Sequence, residues 1–472
     1  MEISRHKTLH FIGIGGSGMS AIARVLVEMG YKVSGSDLKE NSNTIRLRDM
    51  GAKIFLRQDS RNLREADVVV VSTAIPENNA EYAYAKQEKL TILRRAEMLD
   101  FLMVQFKTRI AVAGTHGKTT TTSMIARLLS SLQQHPTYVI GGELTDYGSN
   151  ASFGDSPYFV AEADESDGSF LMLHPTIGVL TNIEAEHMEH YKSFDKLKDA
   201  FKQFMQGILA RSGYLILNKD DAVLSELSAE FPQDKVVYYS LDTESNVMAK
   251  DIIHTPQGVR YTIILDGKEQ GEVLLQVFGR HNVYNSLAVI ALGLREGFFL
   301  EEIKTGLNIF CGAKRRFQFI GEHAGIQIYD DYGHHPTEIM ATLAAAKASL
   351  GRRVVCVFQP HRYSRTRDLL EEFPVSFVDA DLVVITEIYS ANEKNINELS
   401  GKLIIDKMSL PEQEKSFFVT RKSDVVPELL PKLLPGDVVF TMGAGDIYTV
   451  GKELLMQLKT RDKVSVGKSK GE

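Results

Sequence analysis

Short runs that are apolar on both faces recur along this chain, each followed by a turn and then an amphipathic stretch. TLHFIGIGG, ADVVVVST, RIAVAGTHGKTT, TIGVLTN, RRVVCVFQ and DVVFTMGAGD all have this form. A strand without polar alternation is buried on both faces, and strands separated by helices run parallel. The pattern therefore predicts an α/β chain. It starts afresh three times, at TLHFIG, at RIAVAG and near GAKRRF, which gives expected domains 1–108, 109–313 and 314–472. Ligands are expected between these domains, at the carboxyl ends of strands. From about Val236 to Leu275 the pattern alternates without helix signals, and a small antiparallel excursion is expected there. The tail after Leu458 is basic and small, and is expected to be disordered.

Composition agrees with several domains. The chain has 472 residues, whereas single cores stop growing at about 250–300. Hydrophobic residues make up 43% and charged residues 24%, with a net charge of −7. That is the composition of a soluble globular protein and suggests neither disorder nor nucleic-acid binding. The two cysteines, Cys311 and Cys356, lack metal spacing and exclude a disulfide framework, which fits a cytoplasmic location. No apolar run reaches the ~20 residues of a membrane helix. The N-terminus mimics a signal peptide, but Gly13, Gly15, Gly16 and Gly18 break its apolar stretch.

Gly114-Thr115-His116-Gly117-Lys118-Thr119-Thr120 lies between an apolar strand and a helix. Glycines there let backbone amides turn inward, and amides plus a helix N-terminus make a nest for phosphate. Lys118 can reach the β- and γ-phosphates, and the Thr119 hydroxyl can ligate Mg²⁺. The leading glycine of the usual pattern is missing, and the bland reading is a Gly-rich turn with a surface lysine. The Gly-Lys-Thr-Thr at the strand–helix junction favours phosphate. Glu162, Asp164, Glu165 and Asp167 follow a further strand, where a carboxylate can hold the metal; Glu162, still within the strand, is the first choice. Acids there also suit a helix N-terminus. His187 ends another strand of the same segment, and a lone histidine is more often structural than a ligand.

Gly13-Ile14-Gly15-Gly16-Ser17-Gly18 matches G-x-G-x-x-G, with Asp37 placed to meet a ribose hydroxyl. Any diphosphate-bearing nucleotide fits this scaffold, and a second nucleotide site downstream weighs against a dehydrogenase. In the third segment Tyr332, His334 and His335 follow one strand, and His361, Arg362 and Arg365 another. Arginine suits carboxylate and phosphate, whereas Arg367 reads as a solvated helix start. Arg315 and Arg316, at the second boundary, suit either a nucleotide phosphate or a hinge salt bridge.

Taken in order, GTHGKTTTT, EADESDGSF, TNIEAEHMEHY, FGRHNVYNSLAVIA, GAKRRF, DDYGHHPTEI and QPHRYSRT resemble the Mur ligases, bacterial cell-wall amide ligases, over nearly the whole chain. The resemblance implies a Rossmann-like N-terminal domain for the UDP part of the substrate, a central P-loop ATPase domain with a mainly parallel sheet, and a Rossmann-like C-terminal domain for the amino acid. It implies ATP and Mg²⁺ as cofactors, with UDP-N-acetylmuramate and L-alanine as substrates, and a monomer or weak homodimer. A tripeptide acceptor, as in the recycling branch, is the alternative. Gly16 and Gly18, Met19 and Ser20 would then approach the pyrophosphate, with Asp37, Ser72 and Thr73 near the uridine. Glu162 and His187 match the metal positions; His281, Asn282 and Asn285 would lie near adenine; Tyr332, His334, Arg362 and Arg365 would surround L-alanine and the reaction centre. By position alone His334 is a candidate base for the amine. Glu186 stands where aspartate is expected, and neither Lys198 nor Lys202 is assigned as the carbamylated lysine of several relatives.

Overall fold

The computed structural model describes residues 3–144, 148–395 and 398–468. Three sheets follow one another along the chain. The first has five strands, in the spatial order Lys53–Phe55, Lys32–Ser36, Thr8–Ile12, Val68–Val71, Thr91–Arg94, all parallel. Alternate residues bury opposite faces, as the all-apolar runs require: Leu9, Phe11, Val68 and Val70 join one cluster, and Ile12, Val69 and Val71 another. The chain reverses its direction of travel across the sheet beside Thr8–Ile12. The first glycine loop leaves from this switch point, where such sheets open a crevice.

The second sheet has ten strands. Thr108–Ala113, which feeds the phosphate loop, lies between Tyr158–Glu162 and Ile177–Leu180, parallel to both. Thr137–Leu144 pairs parallel with Tyr158–Glu162, and Ser149–Ser152 closes that edge antiparallel. On the other side come Tyr214–Asn218 and Val236–Ser240, again parallel. The expected excursion therefore begins later than the alternation suggested. Val236–Ser240 belongs to the parallel sheet, Val247–Thr255 pairs parallel with it in turn, and Gly258–Leu265 and Lys268–Leu275 follow at the edge of the same ten-stranded sheet. One hydrophobic cluster runs without interruption from Ile3 to Val236, so the first two sheets share a core.

The third sheet has six strands. Val438–Met442 lies at its centre between Ile326–Asp331 and Val354–Phe358, with Leu382–Thr386 and Ser416–Val419 beyond, all parallel; Gln318–His323 closes the edge antiparallel. Cys356 and Phe358 bury one face, Val355 and Val357 the other. Pro336 opens the helix Pro336–Leu350, whose N-cap is His335. The last helix continues from Tyr448 to Lys468, well past Leu458, in place of the expected disorder. The chain divides into two compact units: residues 1–250, 262–273 and 284–311 form one, and residues 251–261, 274–283 and 312–472 the other.

Candidate active site

The phosphate loop is built by two glycines that no other residue could replace without displacement. Gly114 has φ +132°, and a Cβ there would lie 2.2 Å from Thr181 Oγ1. Gly117 has φ +84°, and its Cβ would lie 2.7 Å from Asn285 Oδ1. The helix Lys118–Ser131 follows at once. The strand end after Ile177–Leu180 holds the loop: Asn182 O accepts from Thr115 N (2.9 Å), Asn182 Oδ1 accepts from His116 N (2.9 Å), and Thr181 Oγ1 donates to His116 O (2.6 Å).

The Lys118 ammonium donates to Gly114 O (2.5 Å), Thr115 O (3.0 Å) and Glu165 Oε1 (2.9 Å). Burial works against this charge, but the carboxylates of Glu165, Asp164 and Glu162 outweigh it and keep the ammonium above its ordinary pKa. Glu165 is 1% exposed, and its second oxygen, Oε2, is buried with no hydrogen-bond partner among the described residues. His187 Nε2 lies 3.8 Å from Glu165 Oε1 and 3.6 Å from Glu186 Oε2. His187 has φ +59°, the left-handed conformation, and starts the short helix Met188–Tyr191. Tyr191 Oη donates to Glu165 O at 2.5 Å. Glu162 sits at its strand end, accepts from Gly141 N (2.8 Å) and is hydrogen-bonded by Thr119. Burial pushes the Glu162 carboxyl up despite these donors. Hard oxygen donors, a neighbouring imidazole and an orphaned buried carboxylate oxygen form a set that a divalent cation and a polyphosphate fit.

At the first glycine loop, Gly13 (φ +77°) and Ile14 donate to Ser36 O. Asp37 is spent on the backbone: Oδ2 accepts from Gly15 N (2.9 Å) and Oδ1 from Leu38 N (2.7 Å). It thereby shapes the loop in addition to any ribose contact. Gly16 caps the helix Ser17–Glu28, which carries Gly18, Met19 and Ser20 in its first turn. Ser72 and Thr73 lie in the turn after Val68–Val71, where Ser72 O accepts from Ile75 N. Arg95 reaches from this region to Asp164 (3.5 Å), beside Gly18.

In the other unit, the carboxyl ends of parallel strands gather Tyr332, His334, His361, Arg362 and Arg365. His334 Nδ1 meets Tyr332 O (3.0 Å), and His334 N donates to Glu338 (3.0 Å). The His334 and His361 ring centroids are 5.9 Å apart, and His361 stacks on Tyr389. Arg365 Nη1 lies 3.4 Å from His361 Nδ1. Arg362 has φ +73° and is exposed, and its guanidinium has no partner among the described residues. Burial, then electrostatic repulsion from His334 and from the guanidiniums of Arg365, Arg362 and Arg315, pulls the His361 pKa down to about 3. Asp331 accepts from Phe317 N and Gly333 N, and burial pushes it up to about 6.

Arg315, expected at a nucleotide phosphate or a hinge, is engaged inside its own unit. It donates to Asp330 (3.0 Å), Gly445 O (3.2 Å) and Gly443 O (2.5 Å), and its guanidinium lies over Tyr332. His281 and Asn282 fall in the first turn of the helix Arg280–Arg295, and Asn285 in its second. Asn282 Nδ2 donates to Phe278 O, and Asn285 abuts Gly117. Sequence reasoning overlooked the Lys118–Glu165 pair, Asn182, Tyr389 and the Gly141 contact. A Gly-Gly pair inside a strand was the one signal available for the last.

The arrangement defines a class: an α/β enzyme of phosphoryl transfer, with a lysine-bearing phosphate loop backed by acids and a second glycine-rich loop that opens another helix. Three family descriptions match in order: "Mur ligase family, catalytic domain" over residues 8–107, "Mur ligase middle domain" over 112–293, and "Mur ligase, glutamate ligase domain" over 315–445. The chain belongs to the Mur ligase family. It is 44% identical to the UDP-N-acetylmuramate–L-alanine ligase of Geotalea uraniireducens, over 96% of this chain and 98% of that one. It is 45% identical to that of Pelotomaculum thermopropionicum, over 98% and 100%. The crystal structure of the UDP-N-acetylmuramate-alanine ligase from Thermotoga maritima superposes with TM-score 0.82 at 30% identity, over 97% of this chain and 100% of that one. A murein peptide ligase from Psychrobacter arcticus gives 0.71 at 25%, over 96% and 98%.

Proposed function

We propose that this chain joins L-alanine to the lactyl carboxylate of UDP-N-acetylmuramate at the expense of ATP, in the cytoplasm, as a step of peptidoglycan precursor synthesis. The observation that carries the reading is the end-to-end match, at 44–45% identity, to relatives named for this reaction. It favours L-alanine over the tripeptide of the recycling branch, whose solved representatives are matched at 25% and 28%. Among the described residues no helix is long and apolar enough to cross a membrane.

An amide does not form from a carboxylate and an amine in water without activation. The substrate carboxylate attacks the γ-phosphorus of ATP, ADP leaves, and an acyl phosphate results. The neutral amine of L-alanine then attacks the acyl carbon, and phosphate leaves from the tetrahedral intermediate. The loop amides from Gly114 to Thr120 and the Lys118 ammonium take up negative charge on the transferring group. Thr119, Glu162 and His187 would hold Mg²⁺, which when bound neutralises phosphate charge. Gly16, Gly18, Met19 and Ser20 receive the pyrophosphate at a helix N-terminus. Asn285, against Gly117, fits a contact to the nucleotide. Arg362, with its unpaired guanidinium, suits the L-alanine carboxylate, and Arg365 together with neutral His361 lines the same strand ends.

The test is phosphate release from Mg-ATP and UDP-N-acetylmuramate with L-alanine, with tripeptide, and with neither. Release dependent on L-alanine supports the reading. Release only with tripeptide moves the chain to the recycling branch, and no release with either acceptor, despite measurable binding of ATP and UDP-N-acetylmuramate, sinks the ligase assignment.

A further inference from the structure

Gly141 faces two sites at once. Its amide donates to Glu162 Oε1 at 2.8 Å, and its carbonyl accepts from Ser17 Oγ at 3.1 Å. Ser17 is the first residue of the helix that follows the first glycine loop. Asn150 Nδ2 fixes Ser17 from the far side, donating to its carbonyl (3.1 Å) and its hydroxyl (3.3 Å). A Cβ on Gly141 would stand 2.7 Å from Glu162 Oε2, and one on Gly142 would stand 3.1 Å from Thr119 Cγ2. The strand Thr137–Leu144 therefore lays bare backbone against two side chains assigned to the metal, while the same backbone is tied to the helix assigned to the pyrophosphate.

We propose that Ser17 and Gly141 are positioning residues that couple sugar-nucleotide binding at the first glycine loop to divalent-cation binding at Glu162 and Thr119. The inference rests on the site assignment above. A pyrophosphate bound at the helix N-terminus immobilises Ser17; Ser17 holds Gly141, and Gly141 holds the Glu162 carboxylate in one orientation. Coupling of this kind is reciprocal, so the cation tightens sugar-nucleotide binding by the same factor.

Mn²⁺ binding followed by electron paramagnetic resonance tests this, with ADP present, with and without saturating UDP-N-acetylmuramate. In the wild type the sugar nucleotide tightens Mn²⁺ by at least about fivefold, the low end of ordinary coupling. Ser17→Ala loses that gain, and Ser17→Thr, which keeps the hydroxyl, retains it. Gly141→Ala weakens Mn²⁺ roughly ten- to hundredfold, the usual effect of disturbing a residue that orients a metal ligand, while metal-free ADP binds within about twofold of wild type. A merely structural defect would lower both affinities together. Ser17→Ala that keeps the gain, or a wild type that binds UDP-N-acetylmuramate with no change in Mn²⁺ affinity, overturns the coupling alone. A wild type that does not bind UDP-N-acetylmuramate overturns the substrate reading and the coupling with it. The Ser17 pair carries the test even if Gly141→Ala does not fold.

Discussion

The Lys118 ammonium is shared among two loop carbonyls and the Glu165 carboxylate. A phosphate oxygen that binds there replaces neutral acceptors with a second anion, and that exchange grows more favourable as charge builds in the transition state. Lys118→Ala is expected to lower L-alanine-dependent phosphate release by roughly 10²–10³, the cost of losing one preorganised donor. Binding of UDP-N-acetylmuramate, measured by calorimetry, should stay near wild type. His361 makes a second residue-scale prediction. Its folded pKa of about 3 lies below the ordinary 6.5 of a histidine, so the unfolded chain takes up the proton first as pH falls. Stability held above pH 6.5 is therefore lost progressively as pH drops from there toward 3. Histidine-selective NMR should show no His361 titration step between pH 5 and 8, and His361→Asn should melt with a shallower dependence on acid. A His361 step near pH 6.5 would contradict the half-buried, cation-flanked environment. Neutral His361 can accept a hydrogen bond throughout the physiological range, which suits it to stand beside an amine.

At the scale of elements, the phosphate loop depends on backbone that only glycine adopts easily. Gly114→Ala would combine φ +132° with a Cβ 2.2 Å from Thr181 Oγ1. Strain of this kind costs about 1–3 kcal/mol. The variant should melt lower and bind ADP more weakly, with UDP-N-acetylmuramate affinity nearly unchanged; equal ADP binding would mean that the loop tolerates a shift. Much of this unit was legible from residue order alone. Continuous apolar runs and glycine-rich turns are local signals, as is Pro336 at a helix start in the other unit, and local physics produces them. Edge strands were less legible: Lys53–Phe55 and Thr91–Arg94 are short and mostly not buried, so they lack the all-apolar signature. Val236–Ser240 alternates like a hairpin strand yet pairs parallel with Tyr214–Asn218, because pairing is decided by a partner distant in sequence. The Lys118–Glu165 pair is hidden for the same reason. Nothing near either residue says which of four acids the lysine will meet. Arg315 was ambiguous in sequence because an arginine at a boundary can face either way, and in this structure it meets Asp330 and two loop carbonyls that lie far from it in the chain.

The whole molecule has two compact units but not two equal shares of the binding work. Every residue assigned to UDP-N-acetylmuramate at the first loop, from Gly16 to Thr73, lies in the unit that shares one continuous core from Ile3 to Val236. Residues 312–472 instead form a sheet with its own cluster on each face, one around Phe358 and Phe440, the other around Val355 and Val439. Separate cores permit separate melting. Differential scanning calorimetry should therefore resolve two transitions. UDP-N-acetylmuramate at about 100 times its Kd adds about 2.7 kcal/mol to the state that binds it, which should raise one transition by several degrees and leave the other in place. A single transition that moves as one with UDP-N-acetylmuramate alone would mean that the two units unfold cooperatively despite their separate cores.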